Sequence, residues 1–197
     1  MHVPIAGLAL LPLLTGLPLI FSPVHIAFLE MVIDPVCSMV FEAEAAEDDI
    51  MRRPPRAAVS PLFSPALVAW SLLQGTIAFI PLAALYVLAI GRGLPVADAR
   101  SLTFVSLVLV YLSLVLVNRS FATSLAELIG KANRALVWVT AVTIGLLALV
   151  LITPVGRALF RFGPLHADDL TLVVVIVLGV FATLELLKRF WRARLVT

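Results

Sequence analysis

Two acidic residues, Glu30 and Asp34, stand inside an apolar stretch of the sequence that runs from about residue 24 to 41. In a helix, residues four apart share a face, so the two side chains are expected to lie next to each other. An ionised acid at the centre of a bilayer costs about 2.5–3.5 kcal/mol, and paired carboxylates repel unless a cation or proton lies between them. Carboxylate oxygens suit hard cations, so the pair predicts a site for Ca²⁺, Mg²⁺ or Mn²⁺.

Pro35 directly follows this acidic pair. A proline lacks the N–H that would donate to the carbonyl four residues earlier, which here belongs to Met31. Broken helices at the membrane midplane present such carbonyls to ions in many transporters, so the Met31 carbonyl is a further candidate ligand. The alternative is that Glu30 and Asp34 are neutral, or paired with polar groups of neighbouring helices, and only hold a helix bundle together.

The composition indicates the kind of element that carries the pair. Of 197 residues, 62% are hydrophobic and 13% are charged, with a mean hydropathy of +1.13. Soluble domains are nearer half apolar and a quarter charged, so an ordinary soluble α/β catalytic domain is excluded. We predict an all-α, six-helix transmembrane bundle forming one membrane domain over residues 1–197. Its spans of roughly 20 residues lie at about 3–21, 24–41, 66–90, 101–117, 135–154 and 170–187.

The distribution of basic residues predicts the orientation of this bundle. With six spans, ten of the 14 Lys and Arg residues lie on the side of both termini and of the loop 42–65. The other four are Arg92, Arg100, Arg157 and Arg161. The positive-inside rule places both termini and the loop 42–65 in the cytoplasm. A basic, aromatic segment follows the last span, and we expect it to contact lipid headgroups and no nucleic acid.

A motif in the loop 42–65 resembles a known family. Residues 23–56 resemble the sixth membrane helix and following cytoplasmic loop of P-type cation-transporting ATPases, in the Ca²⁺-pump-like branch and its bacterial type. In these pumps an Asp of that helix precedes, by 17 residues, the Met of a motif Asp-Ile-Met-x-Arg-Pro-Pro-Arg. Asp34 and Met51 keep that interval, and residues 49–56 reproduce the motif. The resemblance extends over essentially the whole chain, which would correspond to roughly the fifth to tenth membrane helices.

This resemblance implies roles for particular residues. Asp34 takes the position of the family's Asp ligand in the sixth helix, and Glu30 and His2 take positions of Asn ligands in the Ca²⁺ pumps. A neutral His2 imidazole is thus another candidate ligand, although a His next to a chain start is also common as a frayed terminal residue. Two other ligand positions of the two-site Ca²⁺ pumps hold Ile33 and Ile5. The resemblance therefore implies one cation site around Glu30 and Asp34.

The sequence also lacks parts of such a pump. The family's phosphorylated Asp lies in Asp-Lys-Thr-Gly-Thr, which does not occur in these 197 residues. We therefore expect no ATP hydrolysis by this chain alone, and ATP would act only through domains that are not included. The interpretation is the ion-binding membrane domain of a P-type cation ATPase in a bacterial plasma membrane. We expect it to be a fragment whose partner is the N-terminal half of the pump, on the same or a separate chain. The alternative is a stand-alone small membrane channel or carrier, or the membrane subunit of a split pump.

Several other residues have expected structural roles. The sequence Gln74-Gly75-Thr76 is predicted to be a site of close helix packing. Glu185 is expected to meet Lys188 or Arg189, which lie three and four residues further along the helix. Residues near the span ends are expected to lie at the membrane interface; they are His25, Trp70, Tyr86, Trp138 and Trp191.

Overall fold

The computed structural model describes residues 2–43, 65–118 and 133–195. Most of the predicted cytoplasmic loop 42–65, including the motif at 49–56, lies outside the described residues. The described parts form helices joined by short turns, with no strand among them, which confirms the all-α fold class.

Seven helices make up the described parts of the chain. We number them α1 to α7, and α2 continues directly into a π-helical turn, Val36–Val40. Their bounds are His2–Thr15, Pro23–Pro35, Pro65–Gly91, Val96–Asn118, Arg134–Ile152, Pro154–Phe160 and Ala167–Leu195.

Five of these helices are long and apolar enough to cross a membrane: α2 with its π-helical turn, α3, α4, α5 and α7. They coincide with five of the six predicted apolar runs. In the remaining run only the 14 residues of α1 are helical. At 1.5 Å per residue α1 is about 21 Å long, shorter than a hydrocarbon core of about 30 Å. It ends at Gly16, which has a positive φ of 73° and whose amide N–H donates a hydrogen bond to the Pro12 carbonyl. This is the left-handed conformation that commonly caps a helix C-terminus.

Helix α4 lies at the centre of the bundle. In its apolar window 83% of the residues are buried, against 17% in those of α5 and α7, which therefore present most of their surface outward. Helix α4 packs against α3 and α7, and α3 also packs against α1. At one end of α7 the buried Lys188 ammonium donates to the Val117 carbonyl of α4 at 2.8 Å and lies 3.3 Å from Glu185, as the spacing predicted.

Helices α1 and α3 approach closely at two glycines. A Cβ on Gly75 would lie 2.6 Å from the Cβ of Val3, and a Cβ on Gly7 would lie 2.6 Å from the ring of Phe79. Only glycine allows backbones this close, so the predicted packing site at Gly75 is confirmed. Because residues 3 and 7 meet residues 75 and 79, the two helices run parallel.

Candidate cation site

Helix α2 has two different faces. Its apolar side chains Phe28, Leu29, Val32 and Ile33 are buried in the bundle. Glu30 and Asp34 lie on the other side, where the Glu30 side chain is 46% exposed and Asp34 is exposed. Met31, next to Glu30 in sequence, is also exposed. The predicted pair therefore lies on a surface of α2 that the described part of this chain leaves open.

The helix geometry changes immediately after the pair. Following Pro35, the backbone adopts a π-helical turn over Val36–Val40, and the Ser38 hydroxyl donates to the Asp34 carbonyl at 2.7 Å. Such turns widen the helix and are frequent at functional sites. Pro35 supplies no N–H to the Met31 carbonyl, so the regular hydrogen-bond ladder is interrupted within the segment that carries the acids.

His2 is the one predicted ligand on another helix, α1. Its Nε2 lies 3.9 Å from Oε1 of Glu30, with the His2 side chain 72% exposed. The structure thus brings His2 and Glu30 together, in a position where an imidazole and a carboxylate could both contact one cation. In the described part of the chain, no three His, Cys, Asp or Glu side chains converge as a complete metal site would require.

Two anchors that the sequence reasoning missed fix the ends of the acidic segment. Asn133 bridges α5 to the π-helical turn: its Nδ2 donates to the Val40 carbonyl at 3.1 Å, and its Oδ1 accepts from the amide of Leu136 at 3.0 Å. Asn133 also stands at the N-cap of α5, and an asparagine just before an apolar run is the signal that predicts this position.

The second anchor lies at the start of α2. The His25 side chain is fully buried, with its Nδ1 2.7 Å from the Ser22 hydroxyl and 3.1 Å from the Ser22 amide, which donates to it. Its ring lies 5.2 Å from those of Phe104 and Phe160, edge to face. The His25 side chain is thus enclosed by aromatic rings of the packed helices and does not point outward from the bundle.

The turn between α1 and α2 is held by side chains of the central helices. The Arg100 guanidinium of α4 donates to the carbonyls of Leu19 and Ile20, both at 2.9 Å, and to that of Arg161 at 3.1 Å. The Tyr86 hydroxyl of α3 donates to the Pro18 carbonyl at 2.5 Å. These bonds satisfy the carbonyls of a non-helical segment and fix the α1–α2 hairpin to the bundle.

The comparison with known protein families agrees with this architecture. The family described as "Cation transporting ATPase, C-terminus" matches residues 18–190, which is most of the chain. The chain belongs to this family. The match covers the C-terminal transmembrane region of P-type cation ATPases and includes Glu30 and Asp34, whereas His2 lies before it. None of the curated proteins compared with the chain matches it.

Membership of the cation ATPase family identifies the chain as an integral membrane protein. Its apolar helices imply a lipid bilayer around it, and the family's transported substrates are cations. The all-α membrane fold and the P-type cation ATPase resemblance stated from the sequence are thereby confirmed.

Proposed function

We propose that this chain is the ion-binding membrane part of a P-type cation pump, in which Glu30 and Asp34 are ligands of the transported ion. The observation that carries the proposal is the pair of acids on one open face of a membrane helix, directly before a proline and a π-helical turn. Hard oxygen ligands favour Ca²⁺, Mg²⁺ or Mn²⁺ as the ion. The Met31 carbonyl and His2 would complete this side of the coordination sphere.

The remaining ligands would come from residues that lie outside these 197. The open face of α2 offers room for another membrane segment opposite the two carboxylates. The phosphorylated Asp would likewise belong to cytoplasmic domains of the pump beyond this sequence. Phosphorylation there would change the affinity of the site between two states, and alternating access requires such a difference. The distribution of Lys and Arg residues supports an orientation with both termini in the cytoplasm, and the resemblance to a bacterial type of pump supports a bacterial plasma membrane.

Ion binding by the two carboxylates is directly testable. We would purify the full chain in lipid nanodiscs and measure Mn²⁺ binding from the loss of the free-ion EPR signal, with Ca²⁺ and Mg²⁺ as competitors. The variants are Glu30→Gln and Asp34→Asn, which keep size while removing charge. The matched control is Asp168→Asn, because Asp168 is an exposed acid at the start of α7, far along the chain from the site.

We expect each site variant to bind Mn²⁺ about tenfold more weakly or worse, equivalent to about 1.4 kcal/mol or more. Asp168→Asn should bind as the parent does. Circular dichroism of each variant checks that helix content is unchanged. Equal binding by the parent and both site variants would show that Glu30 and Asp34 are not ligands, and absence of saturable binding by the parent would contradict the proposal as well.

A further inference from the structure

The short helix α6, Pro154–Phe160, presents an unusual surface for its length. Around it the aliphatic side chains of Ile152, Val155 and Leu159 are 73%, 78% and 60% exposed. Val155 and Leu159 are four residues apart and share one face. The side chains of Arg157 and Arg161 are exposed on the same segment. The segment therefore combines a bare aliphatic surface with two cationic groups.

The bundle fixes the orientation of α6. The Thr153 hydroxyl accepts the Gly156 amide at 3.1 Å as an N-cap, and the Arg157 guanidinium donates to the Leu151 carbonyl of α5. On the inner side Phe160 is buried, with its ring 5.2 Å from that of His25. Because these contacts hold one face inward, the aliphatic side chains must point away from the protein.

The position of α6 indicates what meets that surface. The Arg161 carbonyl accepts from Arg100, and the Gly163 amide donates to the Ala97 carbonyl at 3.1 Å, so α6 lies at the same end of the bundle as the α1–α2 and α3–α4 turns. It connects α5 and α7, whose apolar windows are only 17% buried. The aliphatic surface of α6 thus lies between two apolar helices that present most of their surface outward. Acidic groups at this end are Asp98, Asp168 and Asp169, of which Asp169 lies 3.5 Å from His166.

We propose that α6 is an interfacial anchor that lies in one leaflet of the bilayer, with phospholipid as its ligand. Its aliphatic side chains would enter the upper acyl region, and Arg157 and Arg161 would bind headgroup phosphates. Aliphatic burial together with cationic attraction to phosphate is the physical basis of helices that lie in the membrane surface. The inference is independent of the cation site and fixes the depth of the bundle end at which α2 begins.

Spin-label accessibility tests the depth of α6. In a Cys37→Ala background of the full chain, a nitroxide is attached at Leu159→Cys, and Val155→Cys serves as a second site. Oxygen concentrates among the acyl chains, so relaxation of the nitroxide by oxygen shows that the label lies in lipid. Relaxation by a water-soluble nickel chelate shows that the label is exposed to water. Val142→Cys, on the exposed side of α5, is the control for lipid, and Arg92→Cys, in the exposed α3–α4 turn, is the control for water.

We expect the labels on α6 to be reached by oxygen and not by nickel, as at Val142. Nickel access equal to that at Arg92 would place α6 in water and overturn the proposal. Labels reached by neither reagent would show that a protein covers the surface, which would overturn it equally.

The role of the arginines has its own measurement. In the double variant Arg157→Gln, Arg161→Gln, the preference of the protein for spin-labelled phosphatidylglycerol over phosphatidylcholine among the motionally restricted lipids should decrease measurably, with the remainder due to its other basic residues. The oxygen and nickel accessibility of a nitroxide at Leu159→Cys, measured in the same double variant, checks that α6 keeps its position. An unchanged lipid preference would show that the arginines bind no headgroup.

Discussion

The close contact between helices α1 and α3 involves Gly75, and its consequence for stability is calculable. Replacing Gly75 by alanine adds a Cβ at 2.6 Å from the Cβ of Val3, whereas apolar carbon atoms pack best at about 3.5–4.0 Å. The Val3 Cβ is bonded directly to the backbone, so no rotamer change moves it away. Helix α1 must therefore shift by about 1 Å, and overpacking of this kind costs about 1–3 kcal/mol.

Alanine also has a higher helix propensity than glycine, which stabilises any such variant by about 1 kcal/mol. A glycine-to-alanine change at a second, uncrowded position therefore serves as the control. Gly145 lies within α5, and a Cβ added there would meet no neighbouring side chain or helix within 4 Å, so Gly145→Ala adds only the propensity gain. We would unfold both variants with sodium dodecyl sulfate and follow the loss of helix by circular dichroism. Gly75→Ala should be less stable than Gly145→Ala by about 1–3 kcal/mol. A difference below about 0.5 kcal/mol, the usual range for unconstrained surface changes, would refute the close α1–α3 contact.

Two further variants test the anchors around the acidic helix. Arg100→Gln removes three charged hydrogen bonds to the carbonyls of Leu19, Ile20 and Arg161, and we expect a loss of about 2–4 kcal/mol in the same unfolding assay. Arg92→Gln, in an exposed turn, should change stability by less than about 0.5 kcal/mol, and equal effects would contradict the anchoring role. Asn133→Ala removes both the N-cap of α5 and the bond to Val40, and should cost about 1–3 kcal/mol. Hydrogen exchange of the Val40 region should then accelerate, and unchanged exchange there would argue against the bridge.

The sequence predicted the membrane helices well because apolar run length is a local property of the chain. It did not predict α6, because the predicted span 135–154 ends at Pro154, where α6 begins. A proline ends the helix that precedes it. A threonine followed by a proline can also start the next helix, with the threonine as its N-cap and the proline as its first residue. The structure shows the second use, with Thr153 accepting the Gly156 amide.

Burial of individual aromatic residues was less predictable than the helices themselves. Trp138 is 72% exposed, whereas the side chains of Trp70 and Tyr86 are buried between helices and do not face outward. Sequence position near a helix end does not determine which side of the helix meets a neighbour. For Trp70 the neighbour includes Trp191 of α7, whose ring lies 5.8 Å away and is more than one hundred residues distant in sequence.

The shared helical face of Glu30 and Asp34, in contrast, was predictable, because it follows from their spacing of four residues. Helix α2 buries Phe28, Leu29, Val32 and Ile33 against its own bundle and leaves Glu30 and Asp34 on the open side. Two ionised acids facing lipid would cost about 5–7 kcal/mol, as much as the whole folding free energy of many proteins. The cation proposed above, with ligands from an opposing membrane segment, would offset this charge.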